Sequence, residues 1–168
     1  MIDLRSACAG DSERLADIGI RAWESAVPHW GEDTEKLRDH AHRAYRDFCA
    51  DQWQTILVAQ NGAAVVGWGA RENMDHYISD LWVDPQYQGR GVGKRLLAAL
   101  ERTIAEAGFA DVELETHARN TPTIGFYEAA GYRVVSRFIK YEPSLRKDIE
   151  KLSMRKTLRK PSAEHREP

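Results

Sequence analysis

Cysteine is scarce. The 168 residues hold two, Cys8 and Cys49, too few for a disulfide framework, so both read as reduced thiols. No apolar run approaches the eighteen residues of a membrane span, and Met1-Ile2-Asp3-Leu4-Arg5 carries no charged-then-apolar leader. The expectation is therefore a cytoplasmic, soluble protein with no membrane partner. Charge of one sign is also lacking: 24 Lys and Arg against 26 Asp and Glu leave a net −2, with no broad basic field to attract nucleic acid. The basic run from Lys147 to Lys160 is interrupted by acids and apolar residues. Metal-ligand spacing is missing too. His40 and His42 are two apart on a predicted helix and point to different sides, and His29, His76, His117 and His165 are scattered. No metal is expected.

What is present is an ordinary globular composition, 42% hydrophobic and 30% charged, in a length that suits one domain. Ile2 and Leu4 mark a first strand. Asp11 reads as an N-cap for a helix carrying Leu15, Ile18, Ala22 and Trp23, broken at Val27-Pro28-His29-Trp30-Gly31. A second helix is predicted from Asp33, with Leu37, Ala41, Ala44, Tyr45 and Phe48 on one face. Residues 54–60 and 63–71 flank Asn61-Gly62, a strong hairpin signal. Residues 77–83 read as a strand ended by Asp84-Pro85. The next helix carries Val92, Leu96, Leu97, Leu100 and Ile104 and stops at Gly108. Residues 111–116 form a strand, Thr121-Pro122 opens a short helix closed by Gly131, and strands follow at 132–141 and 148–155. Seven strands and four helices make one mixed α/β domain over residues 1–156. Residues 157–168 read as a polar, disordered tail.

The chemistry concentrates in Gln88-Gly89-Arg90-Gly91-Val92-Gly93-Lys94-Arg95, between a strand and a helix. Glycines let main-chain N–H groups approach a ligand closely, and a helix N-terminus offers unsatisfied donors and partial positive charge. Such a turn suits phosphate or pyrophosphate. A P-loop would need glycine at Gln88 and Ser or Thr at Arg95; a Rossmann turn would need Gly or Ala at Lys94. Neither pattern is met.

The pattern Q-x-x-G-x-G at Gln88, Gly91 and Gly93, preceded by Leu81-Trp82-Val83-Asp84-Pro85-Gln86-Tyr87, resembles motif A of the GNAT acetyltransferases. Asn120, Phe126-Tyr127-Glu128 and Gly131-Tyr132 resemble the family's motif B at the expected distance, and the likeness runs from about residue 2 to 155. The resemblance implies the GNAT fold: a mixed, mostly antiparallel sheet of six or seven twisted strands flanked by helices, with strands 77–83 and 111–117 parallel and splayed. Acetyl-CoA is the implied cosubstrate, entering the splay. Leu81, Trp82 and Val83 match positions whose main chain binds the pantetheine arm. Gln88, Gly89, Arg90, Gly91, Val92, Gly93 and Lys94 match the pyrophosphate loop, and Asn120 a CoA contact. Tyr127 matches a tyrosine beside the thioester sulfur, placed to protonate the departing thiolate.

An amine must lose its proton before it attacks, at a cost of roughly 4–5 kcal/mol for a lysine at pH 7 and about 1 for an α-amine. Glu115 is the leading base, because it precedes Asn120 by five residues and Tyr127 by twelve, a spacing similar to ribosomal-protein N-terminal acetyltransferases. On a regular strand Glu113, Glu115 and His117 share one face. Histone-type members carry a glutamate where Tyr77 stands; Asp80 and His76 are near, but strand alternation turns Asp80 away from Tyr77. Trp23, His29 and Trp30 mark a wall of the acceptor pocket and hint at an aromatic or apolar acceptor. The expected reaction is direct transfer to an amine in a ternary complex, without an acyl-enzyme. The alternatives are a non-catalytic acetyl-CoA sensor and a transferase of longer acyl groups. The acceptor stays open between a protein N-terminus, a lysine and a small amine, and a homodimer through the last strands is a further implication of the resemblance.

Overall fold

Period-two alternation at the N-terminus and after residue 54 resolves into an antiparallel sheet built from β1 (Ile2–Ser6), β2 (Ile56–Asn61) and β3 (Ala64–Ala70). The computed structural model describes residues 1–31, 35, 38–73, 75–143 and 146–158. Gly62 takes a φ of 60° in the β2–β3 turn, and the register shifts at Ala59/Gln60. Between β1 and β2 the chain forms α1 (Ser12–Ala26) and α2 (Arg38–Asp51). Helix α1 buries Leu15, Ile18, Ala22 and Trp23, the stripe predicted from sequence. Asp11 holds its N-cap position, as predicted, but its side chain does not cap. A 3-10 turn over Ala9–Asp11 precedes the helix, and the Asp11 carboxylate accepts from Cys8 N at 2.8 Å and pairs with Arg5 at 2.7 Å. Gly19 lets α2 lie close, since a Cβ there would stand 2.7 Å from Tyr45 Cδ1. Asp33, the predicted start of the second helix, lies outside the described residues.

The predicted strand 77–83 divides. β4 (Tyr77–Ile78) pairs in parallel with β6 (Asp111–His117), whereas β5 (Asp80–Val83) pairs antiparallel with β3. Ser79 is the break: its N–H and its hydroxyl both donate to Ala70 O, at 3.0 and 3.2 Å. Eight strands therefore replace the seven expected among the described residues, in two sheets of order β1-β2-β3-β5 and β4-β6-β8-β7. β7 (Arg133–Glu142) and β8 (Lys147–Thr157) complete the second sheet. The last strand reaches Thr157, and Leu158 N–H donates to Ala110 O at 2.8 Å, so these two residues join the sheet rather than the tail. Residues 159–168 lie outside the description.

α3 (Val92–Glu106) buries Val92, Leu96, Leu97, Leu100 and Ile104, each contributing about 1.5–3 kcal/mol relative to exposure. α4 (Thr121–Ala129) starts one residue earlier than the capping pattern suggested, with Asn120, not Thr121, at the N-cap. The parallel pairing of β4 and β6 lasts only from Tyr77↔Glu113 to Ile78↔Leu114, after which β5 and β6 part. That gap is where the functional site lies. No described helix is long and apolar enough to cross a membrane.

Candidate active site

A single cavity of about 940 Å³ runs from the glycine turn, through the gap between β5 and β6, to α1 and α2. At one end its walls are largely main chain. β5 is the last strand of its sheet, so the edge turned from β3 has backbone donors and acceptors available to an extended ligand. Leu81, Trp82 and Val83 all border the cavity there. Asp84, fully buried, then anchors the turn: its carboxylate accepts from Gln86 N at 3.0 Å and meets Arg14 at 2.7 Å and Arg21 at 3.0 Å, both from α1. The guanidinium partners and the Gln86 hydrogen bond outweigh burial and hold the Asp84 carboxyl below its ordinary range. Gly89 and Gly91 take φ of 71° and 80°, conformations side-chain-bearing residues resist, and Gly91 is the N-cap of α3.

The other end is built from side chains. Trp23 and Trp30 come from the α1 end of the chain fold, Tyr45 from α2, and Trp82 from β5. Tyr45 and Trp82 meet edge to face at 5.4 Å, and Trp30 stacks on His117 at 4.9 Å. His117 Nδ1 in turn accepts from Arg119 N at 3.0 Å. Four carboxylates border this region: Glu72, Asp80, Glu115 and Glu142. Glu115 meets Lys140 at 3.0 Å and Lys151 at 3.6 Å, and Lys151 also meets Glu142 at 2.9 Å.

Asp80 borders the same cavity as Tyr77, Ile78 and Ser79, at the break between β4 and β5. The Asp80 carboxylate accepts from Trp82 Nε1 at 2.9 Å. Burial pushes its pKa up, the negative charges of Glu72 and Glu142 add to this, and the hydrogen bonds from Trp82 and Ser79 only partly oppose it. Tyr127, on α4, is buried between Phe126 and Tyr132 at 5.3 and 5.5 Å. Its phenol is raised above the usual range by burial and then by the charge of Asp80.

The chain matches the model of the Acetyltransferase (GNAT) family over residues 19–132, more than half its length. It belongs to that family. Mycothiol acetyltransferase of Clavibacter sepedonicus is 39% identical over 146 residues, covering 83% of this chain and 45% of that protein. Aminoglycoside N(6')-acetyltransferase type 1 of Stenotrophomonas maltophilia is 25% identical over 150 residues, covering 84% of this chain and 93% of that one. The chain thus spans less than half the length of the mycothiol acetyltransferase it matches. Among solved structures, the PaiA N-acetyltransferase of Thermoplasma acidophilum in complex with coenzyme A has the same fold at a TM-score of 0.77, with 18% identity, covering 94% of this chain and 99% of that one.

Within this GNAT fold the cavity gathers Leu81, Trp82, Val83, Gln88, Gly89, Gly91, Val92, Gly93, Lys94, Glu115, Asn120 and Tyr127, all singled out from sequence. Arg90 stays off its wall, with the guanidinium over the Tyr87 ring at 5.4 Å. The Val92 side chain is core, leaving its main chain to face the ligand. Gln88 Nε2 donates to Val83 O at 3.2 Å, closing the turn. Asn120 makes no side-chain cap bond with α4 although it holds the N-cap position. Glu113 is directed elsewhere, to Ser153 Oγ at 2.6 Å and Arg155 at 2.7 Å, and His76 packs against Phe109. His29 is exposed. Sequence reasoning missed Tyr45, Glu72, Glu142 and Lys151 as wall residues. Each is remote in the chain from any motif, and no local signal marked them.

The GNAT cavity also suits the cosubstrate that its family implies. The β5 edge, the glycine turn and the N-terminus of the fifteen-residue α3 present main-chain donors of the kind an extended, anionic ligand such as CoA needs, and Lys94 adds a cation. Among the described residues no cluster of His, Cys, Asp and Glu has the makings of a metal site.

Proposed function

We propose that this domain transfers the acetyl group of acetyl-CoA to an amine, with Asp80 and Tyr127 as its acid–base pair. The observation that carries this reading is that a half-buried carboxylate and a buried phenol border the same gap as the glycine turn. Leu81, Trp82, Val83, Gln88, Gly89, Gly91, Val92, Gly93, Lys94 and Asn120 bind CoA in this reading, and Arg90 supports the turn through Tyr87. The amine nitrogen gives a proton to Asp80 and attacks the thioester carbonyl. The C–S bond then breaks, and the thiolate takes the Tyr127 proton. The two groups act in concert, because protonating Asp80 removes the negative charge that holds the phenol high.

Glu115 remains the second candidate for the amine proton. Its ties to Lys140 and Lys151 favour a role in holding the wall. Transfer is direct. Neither cysteine borders the cavity, and burial pushes the Cys49 thiol up to about 12, leaving it almost without thiolate near neutrality. The mycothiol and aminoglycoside acetyltransferases among its relatives support small amines as acceptors. We read residues 1–158 as one cytoplasmic unit, two residues longer than the 1–156 expected, with a homodimer through the last strands.

Thiol release from acetyl-CoA, measured against small amines, amino acids and N-terminal peptides, tests the reading. Turnover that collapses in Asp80→Asn and in Tyr127→Phe, with acetyl-CoA affinity retained, supports it. Tight acetyl-CoA binding with no turnover across the panel favours the sensor alternative, and faster turnover with butyryl-CoA than with acetyl-CoA favours the longer-chain one.

A further inference from the structure

The carboxylates of the acceptor chamber divide into two kinds. Glu115 and Glu142 belong to an alternating chain with Lys140 and Lys151, in which each carboxylate has an ammonium group within 3.0 Å. Asp80 and Glu72 have no ion pair among the described residues, although both border the cavity and Glu72 stands close enough to disfavour the charged form of Asp80. They are also tied together by the strand break, since Ser79 Oγ accepts from the Glu72 main-chain N–H at 3.3 Å. The depths differ. Asp80 is half-buried beside Trp82, and Glu72 is exposed at the rim.

Two carboxylates without an ion pair, at different depths and with aromatic faces on the surrounding wall, favour a ligand bearing two positive charges. One carboxylate alone is satisfied by the reacting amine, which Asp80 must deprotonate. The second, exposed at the rim, can exchange its hydration for a cationic group that the acceptor brings. Tyr45 and Trp82, in edge-to-face contact beside Asp80, offer apolar surface to a methylene chain and π-faces to a cation. A carboxylate next to the amine would meet Asp80 and Glu72 unfavourably.

We propose, building on the acetyl-transfer reading, that the acceptor is a small diamine whose reacting nitrogen lies at Asp80 and whose second, cationic nitrogen is held at Glu72, with its apolar spacer on the aromatic wall. Glu72 is then a specificity-determining residue that touches no reacting atom.

Three five-carbon amines separate the possibilities: 1,5-diaminopentane, 1-aminopentane and lysine, which differ in the second charge and in the added carboxylate. Each is titrated into the CoA-loaded protein and followed by tryptophan fluorescence, which Trp23, Trp30 and Trp82 make sensitive to the chamber. The expected order is diaminopentane tighter than aminopentane by about tenfold, the scale of a half-buried charge pair, with lysine weaker than diaminopentane. Glu72→Gln lies at an exposed position, so its fold is safe. It is expected to bring diaminopentane to within about twofold of aminopentane in the same variant, leaving CoA binding unchanged. Equal binding of the two amines, preference for lysine, no binding of any, or an unaltered diamine preference in Glu72→Gln would each overturn the proposal. Thiol release, read alongside, keeps the two readings apart. Diamine binding without turnover breaks acetyl transfer but not the diamine site, and turnover of both amines at equal efficiency does the reverse.

Discussion

The two ends of the cavity are made by different means. The proposed pyrophosphate end is main chain: a strand edge, two glycines at positive φ and a helix N-terminus, all supplied by residues 81–94 in one stretch. The proposed acceptor end is side chain, brought together from residues as far apart as Trp23 and Lys151. A backbone-built site tolerates change in most side chains but not in its glycines. A side-chain-built site tolerates change in backbone detail but depends on each rotamer.

Asp80→Asn should strike the acceptor end hardest. It is expected to lower kcat by about 10²–10³ while leaving the KM for acetyl-CoA within about twofold, as steady-state thiol release would record. The same variant tests the pH dependence. Asp80 must be ionised to accept a proton and its pKa is raised, so kcat is lost as pH falls through a value above the ordinary carboxylate range near 4. In Asp80→Asn that acid limb should vanish; its persistence would assign the base elsewhere. Tyr127→Phe is next, with kcat down about 10–100-fold and acetyl-CoA binding by calorimetry nearly unchanged.

The backbone end should respond in the opposite sense. Gly91→Ala forces a side chain into φ of 80°, at about 1–3 kcal/mol of strain, and should raise the Kd for acetyl-CoA about tenfold with kcat at saturation little altered. Asp84→Asn loosens the same turn from beneath and should lower the Tm by about 5 °C at pH 7, through about 2 kcal/mol. The folded-state pKa of Asp84 is depressed, so its contribution is complete above the ordinary carboxylate value and is lost as pH falls through the depressed one. The gap between wild type and Asp84→Asn in thermal scans should therefore narrow in acid. The smallest effect is expected from Glu115→Gln, a loss of less than about fivefold in kcat. A loss as large as that of Asp80→Asn would move the base back to Glu115 and erase the distinction between wall and reactive group.

The same contrast explains what the sequence made legible. Gly89, Gly91 and the helix after them are local features, with spacing that determines their geometry, so the backbone of that turn was readable. The helix stripe of α3 and the hairpin at Gly62 were readable for the same reason. The division of residues 77–83 into two strands was not. It depends on Ser79 donating to Ala70 O, a contact between strands that alternation along one strand cannot reveal. Trp30 meets His117 only after two layers have packed, and Tyr45 reaches Trp82 only because Gly19 admits it. Asp11 failed as a cap because Arg5, on the neighbouring strand, competes for its carboxylate.

One element belongs to both ends. Arg14 and Arg21 on α1 grip Asp84 beneath the glycine turn, and Ala22, Trp23 and Ala26 of the same helix border the far end of the cavity. This helix acts as a shared beam. A bulkier or smaller residue at Trp23 that tilts the beam would disturb the glycine turn as well as the chamber wall.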